Sequence, residues 1–116
     1  MRVYALEVDG TCEVIEFLDE RLQESLAADL RSIILHIAAH GFRTPRNWYR
    51  RLVGWPNQWE VRKGRHRLLG FVDGEMLILC LQRLKKGQEL PAGDFARVAR
   101  LQEAWLDERD TPGAGT

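Results

Sequence analysis

Between Arg43 and Arg67 the chain places eight cations, Arg43, Arg46, Arg50, Arg51, Arg62, Lys63, Arg65 and Arg67, against one acid, Glu60. Lys85 and Lys86 follow the next apolar run. Guanidinium and ammonium groups at this density suit the binding of phosphates. The whole chain holds 17 cations and 17 anions, so this +7 block is charge segregation and not general basicity. Residues 1–42 carry 3 cations and 8 anions, residues 68–82 carry −2, and residues 83–116 balance at 6 and 6. Such segregation points to a polyanionic partner. Trp48, Tyr49 and Trp55 interleave with Arg46, Arg50 and Arg51, an arrangement suited to stacking on bases while pairing with phosphates. Trp48 and Leu52 would equally plug the edge of a core while the arginine stems reach for solvent. His36 and His40 stand i, i+4. With no third ligand in sequence range they read as part of a solvated helix face, not a metal site.

Elements must position these groups. Gln58 to Lys86 reads as three short strands joined by a Lys63-Gly64 turn and an Asp73-Gly74 hairpin, the latter of the kind with φ > 0 at both central residues. In the first strand Trp59 and Val61 share one face, and Glu60 and Arg62 the other. In the second, Arg67, Leu69 and Phe71 alternate with His66, Leu68 and Val72. The third, Glu75 to Arg83, is almost continuously apolar, the pattern of a central strand covered on both faces. Upstream, Arg2–Val8 alternates as a strand and Asp9-Gly10 turns the chain. EVIEFLDERL then forms a short helical stretch with Val14, Phe17 and Leu18 on one side. Gln23 to Ala39 is an amphipathic helix with Leu26, Leu30, Ile33, Ile34 and Ile37 on its apolar face and Gly41 as its C-cap. Residues 42–57 read as irregular, broken by Pro45 and Pro56. A last helix, from Pro91 or Asp94 to Asp107, lines up Phe95, Val98, Leu101 and Trp105. The order is β-α-α-β-β-β-α in one α+β domain over residues 1–109, with residues 110–116 expected to be a disordered tail.

Composition narrows the classes. The length of 116 residues suits one domain with a real core. The longest apolar run, Met76 to Leu81, is far short of the ~20 residues that span a membrane. The N-terminus lacks a signal-peptide core, so a cytoplasmic location is expected. Cys12 and Cys80 have no metal or redox spacing, and Cys80 reads as a small buried hydrophobe.

The ordered set W-E-V-R, a short turn, R-H-R-L-L-G-F-V-D-G, an apolar strand, and L-K-K-G-Q-E-L-P opening a helix resembles the RelE/ParE toxin superfamily. Within it the likeness is to the HigB-type, phage-derived branch, over about Val3 to Leu106. The resemblance implies a RelE-like fold and a type II toxin held inactive by an antitoxin, here a HigA-like helix-turn-helix protein, with operator DNA met only through that antitoxin. Enzymatic members resemble endoribonucleases that need no metal or cofactor and cut messenger RNA on the ribosome, using the RNA's own 2′-hydroxyl against the adjacent phosphate. That chemistry needs a proton acceptor, cations for the developing phosphorane and an acid for the leaving group.

Carried over by position, Arg67 matches the family's core strand arginine and is the candidate for phosphate stabilisation. Arg62 matches a basic position on the preceding strand. Lys86, with Lys85 beside it, matches the basic pair after the last strand. Arg43, Arg46, Arg50, Arg51, Lys63 and Arg65 are the RNA-binding candidates. Two departures stand out. Glu60 occupies a position that is lysine in the best-known enzymes, and Leu90–Asp94 (LPAGD) lacks their aromatic acid/base residue. Glu60 is then one candidate base. His66, whose side chain type titrates near neutral, is another, although its position suits packing better, and a lysine of the basic pair, depressed by its neighbouring cations, is a third. Leu90 also replaces a common capping Thr, so Gly93 or Asp94 is expected to cap the last helix. The alternative function is a non-enzymatic inhibitor on the same fold, such as a gyrase poison, or a degenerate toxin that acts only in complex with its antitoxin.

Overall fold

A computed structural model describes residues 1–21 and 23–110 of the chain. Five strands form one sheet: β1 (Arg2–Ala5), β2 (Tyr49–Arg51), β3 (Gln58–Lys63), β4 (His66–Asp73) and β5 (Met76–Leu84), in the order β1-β5-β4-β3-β2. β1 runs parallel to β5, and every other pairing is antiparallel. α1 (Glu13–Glu16) continues as a π-helical turn over Phe17–Arg21, α2 spans Glu24–His40, and α3 spans Ala92–Asp110. The α+β class and the three strands between Gln58 and Lys86 stand as expected. The element order needs one correction, the additional strand β2 inside the segment read as irregular. Its three residues are flanked by Pro45 and Pro56 and pair with β3 on one side only, so they show too little alternation to be legible. The expected tail lies outside the described residues from position 111 onwards, while α3 runs three residues past its expected end.

β5 is almost wholly apolar because both its faces are covered. On one face Leu77 and Leu79 meet Val14, Phe17, Leu30, Ile33 and Ile37 from α1, its π turn and α2. On the other, Ile78, Cys80 and Leu81 meet Val98 of α3, with Leu69 and Phe71 of β4. Cys80 is thus a core residue, and burial pushes its thiol up to about 12. Along α2 the fully buried residues are Ala27, Leu30, Ile33 and Ile37, while Leu35 faces solvent. Gly41 ends that helix at φ 56°, its N–H donating to the Ile37 carbonyl.

The turns differ in detail from expectation. Asp9 and Gly10 both have positive φ, and Val8 and Thr11 exchange hydrogen bonds of 2.8 and 3.0 Å across them. In the β4–β5 hairpin the central residues are instead Gly74 and Glu75, and only Gly74 has positive φ. In the β3–β4 turn the central pair is Gly64 and Arg65, again with positive φ at the glycine alone. Both follow the type II′ pattern, with glycine first, because Asp73 and Lys63 are already engaged as the last paired residues of their strands.

Asp73 also anchors α3. It accepts from Trp105 Nε1 at 2.9 Å and from the Arg109 guanidinium at 2.6 Å. The Trp105 hydrogen bond above all, with Arg109, holds its carboxyl below the usual carboxylate range. A depressed carboxyl contributes stability that is present above the unfolded value and lost as pH falls through the folded one. Asp73→Ala is expected to cost about 2 kcal/mol at neutral pH. In melting curves the wild type should converge on the variant as pH drops below about 4. A gap that persists unchanged at pH 2 would count against the carboxylate as its source.

Candidate functional site: a cationic cleft at the sheet edge

Strand register gathers the basic block. Arg50 on β2 lies directly opposite Glu60 on β3, and Arg62 on β3 lies directly opposite Arg67 on β4. Directly opposed residues share a face. Glu60 therefore meets three guanidiniums through one oxygen: Arg50 Nε at 2.8 Å, Arg62 Nε at 3.3 Å and Arg67 Nε at 4.0 Å. Glu60 and Arg67 are only 3% and 4% exposed, deep enough to fix the geometry of the cluster. Arg67 also donates to the carbonyls of Gly64 (2.7 Å) and His66 (2.9 Å). Burial first, then the neighbouring Arg62, lowers its pKa from the ordinary guanidinium value, with Glu60 opposing. The Arg62 Nε–H is buried and forms no aligned hydrogen bond, so its approach to Glu60 is electrostatic only.

Above this cluster lies a cleft of about 310 Å³ between β2, the sheet surface and the loop from β5 to α3. Five cations line it, Arg46, Arg50, Arg51, Arg67 and Lys85, against two carboxylates, Glu60 and Glu89. Trp55 and Phe95, with ring centroids 5.8 Å apart, add apolar wall. β2 matters here because it carries Arg50 and Arg51 to the rim.

The other expected residues are distributed elsewhere. His66 precedes Arg67 on the strand and so points to the opposite face, where its ring packs on Phe17 at 5.5 Å. Its Nδ1 is buried there without a partner. Lys86 is exposed and does not line the cleft, and Arg62 stands behind it on Glu60. Lys63 pairs with Asp29 at 3.7 Å, Arg65 is exposed in its turn, and Arg43 borders a separate hollow beside Met1 and His40. Of the three rings proposed to stack on bases, Trp55 alone faces the cleft. Tyr49 is in the core, stacked on Trp59 at 4.5 Å, and burial raises its hydroxyl far above the ordinary value. Trp48 sits edge-on to His36, which packs on His40 at 4.4 Å and reaches Thr44 at 3.2 Å through Nδ1. Among the described residues no cluster of three or more histidine, cysteine or acidic side chains is placed to hold a metal ion.

Sequence reasoning passed over Arg83. It lies opposite Arg67, so Arg62, Arg67 and Arg83 form a row across three adjacent strands. A bulge produces this alignment: Leu69 pairs with Leu81 but Gly70 pairs with Leu79, leaving Cys80 as the extra residue. Without it, strict alternation would turn Arg83 to the other face. Arg83 is held by Glu13 at 2.6 Å and Asp94 at 2.8 Å. Burial would lower its pKa, but those two carboxylates outweigh burial and raise it. Asp94 accordingly sits in the first turn of α3 as the partner of Arg83 and not as the expected cap, since the helix already begins at Ala92. Only a bulge, invisible to periodicity, would have revealed Arg83.

A mixed sheet of this order, with two helices on one face and a C-terminal helix on the other, is an α+β fold of the RelE kind. A chain of the RelB–RelE antitoxin–toxin complex from Methanococcus jannaschii superposes on it with a TM-score of 0.50 at 14% sequence identity, covering 62% of this chain and 82% of that one. At that identity the likeness is one of fold and does not reach the branch. No protein-family model matches the chain, and no curated protein matches it significantly. Among the described residues no helix is long and apolar enough to cross a membrane.

Proposed function

We propose that this chain is the toxin of a type II toxin–antitoxin pair, of the HigB-type branch, and that it binds and cuts messenger RNA on the ribosome without a metal. The carrying observation is the cleft itself, where five cations surround a volume about the size of one nucleotide. The RelE-like fold adds to it, as does the antitoxin–toxin complex formed by the structural neighbour. On this reading Arg46 and Arg51 hold the backbone, while Arg50 is engaged with Glu60 beside them. Arg67, kept in place by Glu60 and two carbonyls, offers a preorganised donor to the phosphorane formed when the 2′-oxygen attacks phosphorus. The partner antitoxin, of the HigA-like kind, would cover the same basic surface.

One observation favours the non-enzymatic reading. Among the described residues no histidine or tyrosine lines the cleft, and His66 faces away. Proton transfer then falls to Glu60 or Lys85, or the protein inhibits by binding alone. Induced expression with mapping of messenger 5′ ends separates the two. New ends inside codons, lost in an Arg46→Ala/Arg51→Ala variant, support the nuclease. Growth arrest with intact messages and broken DNA supports gyrase poisoning, and no arrest supports a degenerate toxin. That pair of substitutions is the better probe because both side chains are exposed, whereas truncating Arg67 would disturb the buried cluster.

Binding should carry the electrolyte signature of phosphate contact. Log affinity for single-stranded RNA is expected to fall linearly with log salt, and each of Arg46→Ala and Arg51→Ala should reduce that slope by about 0.7. Fluorescence-anisotropy titrations from 50 to 200 mM salt check this (an experimental range of about the span over which phosphate contacts are resolved). A slope near zero would remove the cleft as a phosphate site.

A further inference from the structure

A carboxylate on the wall of a phosphate-binding cleft needs a reason. Glu89 lines the cleft from the β5–α3 loop, beside Gln88 and together with Arg46 and Arg51, and it forms no ion pair with a described residue. It repels any phosphate that enters, so its presence weakens backbone binding unless something on the ligand donates to it. A nucleobase can. The four bases differ in what they offer a carboxylate. Uracil has one N–H between two carbonyl acceptors. Adenine and cytosine each set an amino donor beside a bare ring-nitrogen acceptor. Guanine alone presents two adjacent donors, N1–H and N2–H₂, which match the two oxygens of a carboxylate. Its adjoining edge, O6 and N7, accepts from arginine or lysine. The cleft holds both complements, Glu89 on the loop and guanidiniums on β2, with Trp55 against Phe95 as an apolar wall for the ring. Its volume of about 310 Å³ suits a single nucleotide.

We propose that the cleft selects guanine, with the Glu89 carboxylate accepting from N1–H and N2–H₂ as its specificity-determining contact. This deepens the RNA reading above and rests on it. Selection acts at the single nucleotide seated beside Arg46, Arg51 and Trp55, while the flanking backbone is bound without regard to base.

Calorimetric titration of the full-length protein with GMP, AMP, CMP and UMP tests it without any cleavage step. The expected result is GMP binding tighter than AMP by on the order of tenfold. In Glu89→Gln that ratio should shrink to within about twofold, because the carboxamide offers one acceptor where guanine brings two donors. The loop position is exposed, so the variant should fold like the wild type, which its melting curve checks. Equal binding of all four nucleotides, or a GMP preference that survives Glu89→Gln, overturns the guanine assignment and leaves the phosphate cleft standing. Binding of none of them at millimolar concentration overturns the assignment and the RNA reading of the cleft together.

Discussion

Replacing Gly70 by alanine should destabilise the protein by about 3 kcal/mol or more, among the largest effects open to a single methyl group here. A Cβ built on Gly70 would lie 2.1 Å from the carbonyl oxygen of Ile78, 2.9 Å from its carbon and 3.0 Å from the Cα of Leu79. All three are backbone atoms of the neighbouring strand, so no side chain can rotate away. The strand pair must part or lose its bulge. β4 and β5 lie at the centre of the sheet, between both apolar clusters, and neither can move without opening a core. Urea melts should show the loss as a lower midpoint with an unchanged slope if the native fold persists. A cost below about 1 kcal/mol would mean that the bulge relaxes freely, and the alignment of Arg83 with Arg67 would then not be enforced by the backbone. Where the bulge is lost, restored alternation turns Arg83 from that row, and the Glu13–Arg83–Asp94 contacts go with it.

The second large effect joins stability to binding with opposite signs. Glu60→Gln should cost about 2–3 kcal/mol, because it leaves the buried Arg67 and the half-buried Arg62 facing each other without an anion. The cost falls short of that for a wholly orphaned pair for two reasons. Arg50 is exposed enough to swing outwards, and Arg67 keeps its two carbonyl partners. Polyanion affinity should move the other way. Removing the carboxylate raises the net charge around the cleft by one and releases Arg50 to meet a phosphate, steepening the salt slope for single-stranded RNA by about 0.7. A stability loss without a gain in RNA affinity would show that Glu60 organises the arginines for the fold alone. If Glu60 is also the proton acceptor, cleavage in this variant should fall even as binding tightens. That divergence would not arise from loosened structure.

Much of the architecture was legible in the chain. The apolar runs of β3, β4 and β5 and the amphipathic stripe of α2 are periodic over enough residues to declare their elements. The density of cations from Arg43 to Arg67 declares a basic cluster, part of which lines one cleft. Burial on both faces makes β5 continuously apolar, and that pattern survives any detail of packing. What periodicity could not carry was local and relational. β2 is three residues of an edge strand, too short to alternate visibly, yet it brings Arg50 onto Glu60. A one-residue bulge at Cys80 reverses the facing of everything after it, so Arg83 joined the row and could not be counted beforehand. His66 and Arg67 are neighbours in sequence and opposites in space, since successive strand residues point to opposite faces. The chain by itself determined which groups exist and roughly which elements carry them. Only the tertiary structure decided which of them share a cleft, because strand register and a single close approach at Gly70 set the facing of each side chain, and neither is written in composition or spacing.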